Sequence, residues 1–405
     1  MVKLERQTYF YKENNLYASC GGKQILLKEF VTDSDRPIYL YNTETVKKRI
    51  DAYKEAFKSK PAHIHYAVKA NSNIDLLKFI KDQGVGADVV SIGEFNRAQE
   101  AGFDASEIIF SGVGKSKAEI RESLEKGCRQ LNCESLSEFK RIGDIAKNMG
   151  IKARVGVRIN PDITVETHPY IATGFRENKF GVPLKQLSEL IEIASNYKES
   201  LKWVGLSCHI GSQIMNSDPL VLAAKSLLST AKGLSSYGIK IDSLDIGGGL
   251  GVDYQSDDEQ KDIESILSFG REVSELLKDF DGEVFLEPGR SLVARSGILL
   301  ARVEYVKSNG FKNFIVVNTG MHHLMRPSLY QAYHKIVPLS FNPESKPENF
   351  DIVGPICESS DVLGYDRMLP RPLEEDWVAI LDTGAYGMSM VSGYNHHPFP
   401  FEKLI

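Results

Sequence analysis

From residue 64 onward the chain repeats one unit of strand, helix and stop. Short β-branched or apolar runs begin at 64 (IHYAVKA), 87 (ADVVS), 108 (IIFSG), 130 (QLNCES) and 153 (ARVGVRIN), so successive starts lie 21 to 23 residues apart. The intervening segments carry apolar residues at helical spacing, such as Ile74, Leu77 and Ile80, or Phe139, Ile142 and Ile145. Several are followed by glycine (Gly84, Gly102, Gly127, Gly150), the residue that most easily closes a helix. Three further runs, WVGLSCHIG from 203, SLDIGGG from 243 and VFLEPGR from 284, follow longer helical stretches near 183–199, 218–237 and 257–279. Eight alternating units over about 230 residues imply right-handed parallel crossovers and predict an α/β fold, a closed (β/α)8 TIM-like barrel.

On either side the pattern changes to alternating or short apolar runs separated by Gly and Pro: LYAS, IYLY, ARVEYV, FIVVNTG and DWVAILDTGA. These read as strands. The expected organisation is a barrel over residues 44–295 inserted into a mostly β domain built from residues 1–43 and 296–405, with IYLY and ARVEYV flanking the barrel's entrance and exit. A chain of 405 residues is long enough for a barrel with such an appendage.

Charge bounds the partner class. With 49 basic and 54 acidic residues, a net charge of −5 and no long run of one sign, the sequence has no electrostatic footprint for nucleic acid or an anionic membrane. No apolar run approaches the length of a membrane span, and MVKLERQTYFYKENN lacks the apolar core of a signal peptide. A cytoplasmic protein with a small-molecule partner is expected. Five cysteines at irregular spacing predict free thiols and no metal site.

In such a barrel the active site lies at the carboxyl ends of the strands. The sequence there reads Lys69, Asp88, Ser111, Glu134, Arg158 with Asn160, His209, Gly247 to Gly249, and Glu287 with Arg290. Lys69 closes HYAVKAN, where desolvation and nearby cations would lower its pKa toward that of a nucleophile; a paired structural lysine is the alternative. GGGLG after the seventh strand, joined by Gly289 of EPGR, would let backbone N–H groups approach a phosphate; a plain turn is the alternative. Glu287 offers a carboxylate to a protonated heterocyclic nitrogen and Arg290 a fork to a carboxylate, or the two form an internal ion pair. His209 would stack on a flat ring or satisfy a core hydrogen bond. Taken together, these groups match the aldehyde, phosphate, pyridine nitrogen and ring face of pyridoxal 5'-phosphate.

HYAVKAN, HPYIATGFRENKFG, HIGSQ, DIGGGLG, EPGR, MRPSLY, GPICESSD and GAYG follow one another between about residues 36 and 400. In these motifs and their order the chain resembles the fold-type III pyridoxal-phosphate-dependent decarboxylases, in particular those acting on diaminopimelate. The resemblance implies an alanine-racemase-like barrel. It also implies a lyase that decarboxylates meso-2,6-diaminopimelate to L-lysine and carbon dioxide, the last step of lysine biosynthesis. Lys69 would be the Schiff-base lysine and Cys357 the proton donor. Asp88, His209, Ser212, Gly248, Gly249, Glu287, Gly289, Arg290 and Tyr386 would surround the cofactor. Arg290, Arg326, Tyr330, Glu358 and Tyr386 would hold the substrate. Cys357 and Glu358 would come from the partner subunit of a homodimer.

The segment NTGMHHLMRPSLY departs from the family pattern. Asn318 stands where relatives have Asp, and His322 and His323 where an Asn and an acid are usual; the two histidines either alter the distal pocket or lie on a surface or interface. The sequence also stops at PFPFEKLI, before the family's usual last strand and helix. Alternatives are the same chemistry on carboxynorspermidine, a dibasic or a carrier-tethered amino acid, a racemase on the same barrel, or a cofactor-free regulatory homologue. The Cys–Glu pair argues against the racemase, whose second base is a tyrosine. Lys69 and Cys357 together argue against the regulator.

Overall fold

The computed structural model describes residues 4–31, 34–163 and 179–405; most of HPYIATGFRENKFG lies outside them. The chain folds as two compact units, one of residues 49–251 and 263–289, the other of residues 1–48, 252–262 and 290–405.

In the first unit eight parallel strands form a closed barrel: β1 (Ala62–Ala67), β2 (Gly86–Val89), β3 (Ile108–Phe110), β4 (Gln130–Cys133), β5 (Ala153–Asn160), β6 (Leu201–Ser207), β7 (Ser243–Asp245) and β8 (Glu283–Leu286). Each pairs with the next, and Val284 to Leu286 pair with Ala62 to Ile64 to complete the ring. All eight coincide with the runs predicted from the 21- to 23-residue spacing and its continuation. A short parallel pair of Val182–Pro183 with Ile159 and Asn160 was not predicted, because two residues carry no period.

The helices after β1 to β4 span Ile74–Asp82, Ile92–Glu100, Lys117–Glu125 and Leu136–Met149. The side chains of Asn73, Ser91, Ser116 and Ser135 accept backbone N–H groups of their first turns, a cap that stabilises a helix by about 1 kcal/mol. Between strand end and cap only a few residues remain, which keeps the loops carrying the polar groups short and tied to rigid elements.

Part of the barrel interior is a hydrogen-bonded network. Gln130 Nε2 donates to Asn132 Oδ1 at 2.7 Å, and Ser243 Oγ donates to Gln130 Oε1 at 3.3 Å. Asn132 Nδ2 reaches Ser111 Oγ at 3.2 Å and Asp245 Oδ2 at 3.3 Å. A Cβ at Gly156 of β5 would collide with both amide side chains. The network therefore requires glycine there, as buried amides require partners.

The second unit is mostly β. Its central strand, Gly297–Ser308, pairs antiparallel with Ile38–Tyr41, Trp377–Leu381 and Asn313–Val317. The apolar run at the start of this strand is explained by burial on both faces. Leu299, Ala301 and Val303 enter one core with Tyr39, Ile315 and Ile352, while Ile298 and Leu300 enter another with Tyr9, Leu16 and Leu40. Phe401–Leu404 adds a parallel strand beside Ile38–Tyr41.

Residues 252–262 belong to this unit although they follow β7 in the chain. Buried ions hold them. Arg6 forms a fork on Asp382 at 2.6 and 3.0 Å and reaches Asp257 at 2.9 Å. Arg295 binds Asp262 at 2.7 Å, Asp382 at 3.3 Å and the carbonyls of Asp253 and Ser256. No local periodicity announces the Arg6 contacts, which join residues more than 200 positions apart. The five cysteines are free, as expected, and only Cys357 is exposed. No described helix is long and apolar enough to cross a membrane.

Candidate active site

In the barrel unit the carboxyl ends of the strands gather titratable side chains. Lys69, in a single helical turn after β1, places Nζ 2.9 Å from Asp88 Oδ2 of β2. The lysine side chain is 36% exposed and that of Asp88 is fully buried. The second Asp88 oxygen has no hydrogen-bond partner. Glu287, after β8, accepts from Ser111 Oγ at 3.2 Å, and Asp245 accepts from the Gly247 N–H at 2.9 Å.

Burial first, then the charges of Asp245 and Asp88, hold the Glu287 carboxyl well above its ordinary range, with Lys69 pulling the other way. Burial likewise raises Asp245 to about 6. Three buried carboxyl groups thus share one ammonium. Such a site keeps a proton on an acid unless a cation arrives to replace it.

His209, after β6, is neutral: burial lowers its pKa far below the usual value, and Arg158 and Lys69 add to the effect. The Gly248 N–H donates to its Nδ1 at 3.3 Å, so the proton sits on Nε2 and the ring orientation is fixed. Gly248 is required by close approach, since its Cβ would overlap the Glu287 carbonyl. Gly249 adds a φ of +112° and a Cβ position 2.5 Å from the Gly211 oxygen. The loops after β6, β7 and β8, which include Ser212 and Gly289, therefore pack backbone against backbone. Glu134 and Arg158 pair with each other at 3.1 Å; Arg158 also binds the His209 carbonyl at 2.9 Å, and Glu134 accepts from Gly181 N–H. Of the strand-end set, these two brace loops.

The β unit holds a second cluster. Arg290 and Arg326 are only 7% and 5% exposed. Arg290 Nη1 donates to the Tyr254 hydroxyl at 3.0 Å, and its guanidinium lies 4.8 Å from the Tyr386 ring centre. The Arg326 guanidinium lies 4.4 Å from the Tyr254 ring centre, and its Nη1 donates to His334 Nε2 at 2.8 Å. Tyr330 ends the one-turn helix Arg326–Tyr330, and its phenol contributes to the raised pKa of Arg290. Burial lowers the pKa of Arg326, as does the charge of Arg290. Among the described residues no carboxylate pairs with Arg326, and two buried guanidinia meeting at one tyrosine form a receptor for an anion.

Cys357 and Glu358 lie on an exposed loop. Glu358 accepts from the hydroxyls of Tyr394 and Ser360, and within the chain it does not join the arginines. The surface reading of His322 and His323 is corrected: both are 1% exposed. Their ring centres lie 3.7 Å apart with the planes tilted by 44°, and His397 lies 4.8 Å from His322. Asn318 accepts from the Arg302 N–H at 2.9 Å and bridges to the Asp35 carbonyl, a role in the sheet.

A family model described as "Pyridoxal-dependent decarboxylase, pyridoxal binding domain" matches residues 43–294. The chain is 39% identical over 395 residues to diaminopimelate decarboxylase of Aquifex aeolicus, covering 98% of this chain and 91% of that one. It is 42% identical over 396 residues to the Haemophilus influenzae enzyme of the same name, covering 98% and 93%. The chain belongs to the diaminopimelate decarboxylase family. Family members of known structure carry the same fold. A Helicobacter pylori diaminopimelate decarboxylase complexed with L-lysine superposes with a TM-score of 0.87 at 42% identity, covering 93% of both chains. The M. jannaschii enzyme in co-complex with L-lysine gives 0.90 at 34% identity, covering 100% of this chain and 94% of that one.

The cofactor of this family is pyridoxal 5'-phosphate, and the barrel end fits it. A cationic ring N–H would relieve the excess of buried carboxyl groups at Glu287, Asp245 and Asp88, and the unpartnered Asp88 oxygen is one more acceptor for a positive group. Sequence reasoning missed Tyr254 and His334 in the arginine cluster. His334 stands eight residues after Arg326 in the same MRPSLYQAYH run, and an aromatic face or neutral imidazole near an arginine is the one local signal that could have found it. Tyr254 had none, because residues 252–262 read as barrel.

Proposed function

We propose that this protein decarboxylates meso-2,6-diaminopimelate to L-lysine with pyridoxal 5'-phosphate. When bound, the cofactor supplies an electron sink for the pair left behind as carbon dioxide departs. Lys69 would hold the cofactor's aldehyde carbon, with Asp88 orienting Nζ. The Glu287 carboxylate would accept from the protonated pyridine nitrogen, whose positive charge offsets the crowding with Asp245 and Asp88; neutral His209 would lie on the ring face, and Ser212, Gly248, Gly249, Gly289 and Tyr386 would accommodate the phosphate.

The observation that carries the substrate reading is the pair of buried guanidinia, Arg290 and Arg326, joined through Tyr254. They would grip the carboxylate at the carbon that does not react, with Tyr330 beside them. A substrate without that carboxylate, such as ornithine or lysine, leaves the buried Arg326 guanidinium without the anion that the site would offer it, and sites built this way reject such an analogue strongly. Because L-lysine keeps the L centre, the carboxylate lost is the one on the D centre.

Cys357 would return a proton to the carbon, and Glu358 would bind the distal amine. Their place on an exposed loop, with a free thiol, supports the reading that they complete the site of a partner subunit in a homodimer. In this division of labour the barrel unit binds the cofactor, and the β unit supplies substrate-site and interface residues. A cytoplasmic location suits a biosynthetic enzyme of this kind.

The test is a substrate panel with purified protein and pyridoxal 5'-phosphate: meso-diaminopimelate, its L,L isomer, ornithine, lysine and carboxynorspermidine, each followed by carbon dioxide release. Turnover confined to the meso isomer is expected. Comparable turnover of ornithine or lysine would overturn the carboxylate reading.

A further inference from the structure

We propose that His334 and Tyr254 are positioning residues that set the specificity of the carboxylate grip by fixing Arg326 and Arg290 in register. The inference rests on the functional reading above and concerns how its substrate is selected.

His334 is fully buried. Its Nδ1 lies 2.8 Å from the Leu381 carbonyl and its Nε2 2.8 Å from Arg326 Nη1. A carbonyl only accepts, so Nδ1 carries the proton. A guanidinium only donates, so Nε2 must present its lone pair. One tautomer of one uncharged ring satisfies both contacts, and Arg326 is thereby tied to the backbone of the central sheet, whose strand Trp377–Leu381 ends at that carbonyl. A carboxylate in place of the imidazole would neutralise Arg326 and remove its reason to bind an anion; a neutral acceptor orients the guanidinium and leaves its charge available.

Tyr254 does the corresponding work for the pair. Its hydroxyl accepts from Arg290 while its ring face carries Arg326, and its ring meets that of His334 edge-on at 5.4 Å. One tyrosine side chain thus touches both guanidinia, so that a carboxylate arriving beside it meets two forks already placed.

The experiment uses three substitutions that separate the two bonds of His334. His334→Gln keeps an acceptor near the Nε2 position, His334→Asn keeps only a donor near the Nδ1 position, and His334→Phe keeps neither. For the pyridoxal-phosphate-loaded proteins, binding of L-lysine and of cadaverine is measured by calorimetry, alongside KM and kcat for meso-diaminopimelate. The two diamines share a carbon chain and differ in the carboxylate. For Asn and Phe we expect L-lysine affinity to fall about tenfold or more, KM to rise in parallel, kcat to change less than twofold, and cadaverine affinity to stay within twofold. The Gln variant should recover most of the loss. Tyr254→Phe, which keeps the ring and removes the hydroxyl, should weaken L-lysine selectively but less. Equal losses for both diamines, or an Asn variant matching the wild type, would overturn the proposal. Calorimetry reads the grip without turnover, so a wild-type protein that binds L-lysine well above cadaverine yet leaves diaminopimelate unconsumed would overturn the functional reading and not this one.

Discussion

At the scale of single residues the account rests on charges placed where they are unstable alone. Burial, with Asp245 and Asp88, pushes the Glu287 pKa well above the usual carboxylate range, and Arg326 is a buried cation without an acidic partner among the described residues. Replacing Glu287 by Gln keeps the shape and removes the acid. Since one preorganised group at developing charge contributes about 100-fold in rate, kcat should fall by about that factor while the cofactor remains bound, as checked by steady-state kinetics and the bound cofactor's absorbance. Arg326→Lys retains a charge but loses the planar fork and the bond to His334. The expected loss in kcat/KM for meso-diaminopimelate is about 10- to 100-fold, or roughly 1.4 to 3 kcal/mol, and it should appear mainly in KM. The gathering of Lys69, Asp88, His209 and Glu287 at one end of the barrel was legible in the sequence because barrel geometry sets which residues close each strand. Tyr254 and His334 were not, because each acquires meaning only from a guanidinium that the fold brings to it.

Among elements, the barrel strands were legible almost to the residue, since each is a continuous apolar run at a constant spacing and each of the first four helices starts on an Asn or Ser cap. What the pattern could not convey is why β5 carries a glycine in its middle. Gly156 makes room for the side chains of Gln130 and Asn132; Gln130 donates to Asn132, and Asn132 reaches Asp245 and Ser111, whose hydroxyl donates to Glu287. Gly156→Ala should cost about 1 to 3 kcal/mol, as overpacking a tight core does. Denaturant unfolding would register this as a lower midpoint, and kcat should fall with it if the network supports Glu287. Residues 252–262 group with the β unit, where Arg6 and Arg295 bind them, and an ion pair such as that of Arg6 with Asp257 leaves no periodic trace in the sequence.

For the molecule as a whole, the buried imidazoles set an acid limit to stability. Burial holds His65, His323 and His334 near a pKa of about 3 and His322 near about 4, against about 6.5 in an unfolded chain. Below pH 6.5 the unfolded state therefore binds more protons than the folded one, and folding stability falls as pH drops toward 4. Each imidazole contributes at most about 1.4 kcal/mol per pH unit. The raised carboxyls of Glu287 and Asp245 oppose part of this, because they hold protons in the folded state that the unfolded chain has released. Thermal melts from pH 7.5 to 4.5 should show a falling midpoint. Replacing the adjacent pair with residues that do not titrate, as in the double substitution His322→Asn with His323→Gln, should flatten the curve, and an unchanged slope would remove those two from the explanation.

The central claim is that one chain couples a lysine-held cofactor to recognition of a distal carboxylate. Its most direct test is the stoichiometry of L-lysine and carbon dioxide formed from meso-diaminopimelate by purified protein with pyridoxal 5'-phosphate, beside Lys69→Ala. The account predicts one L-lysine per carbon dioxide from the wild type and none above background from the variant. Equal product from both proteins, or carbon dioxide released without L-lysine, would contradict it.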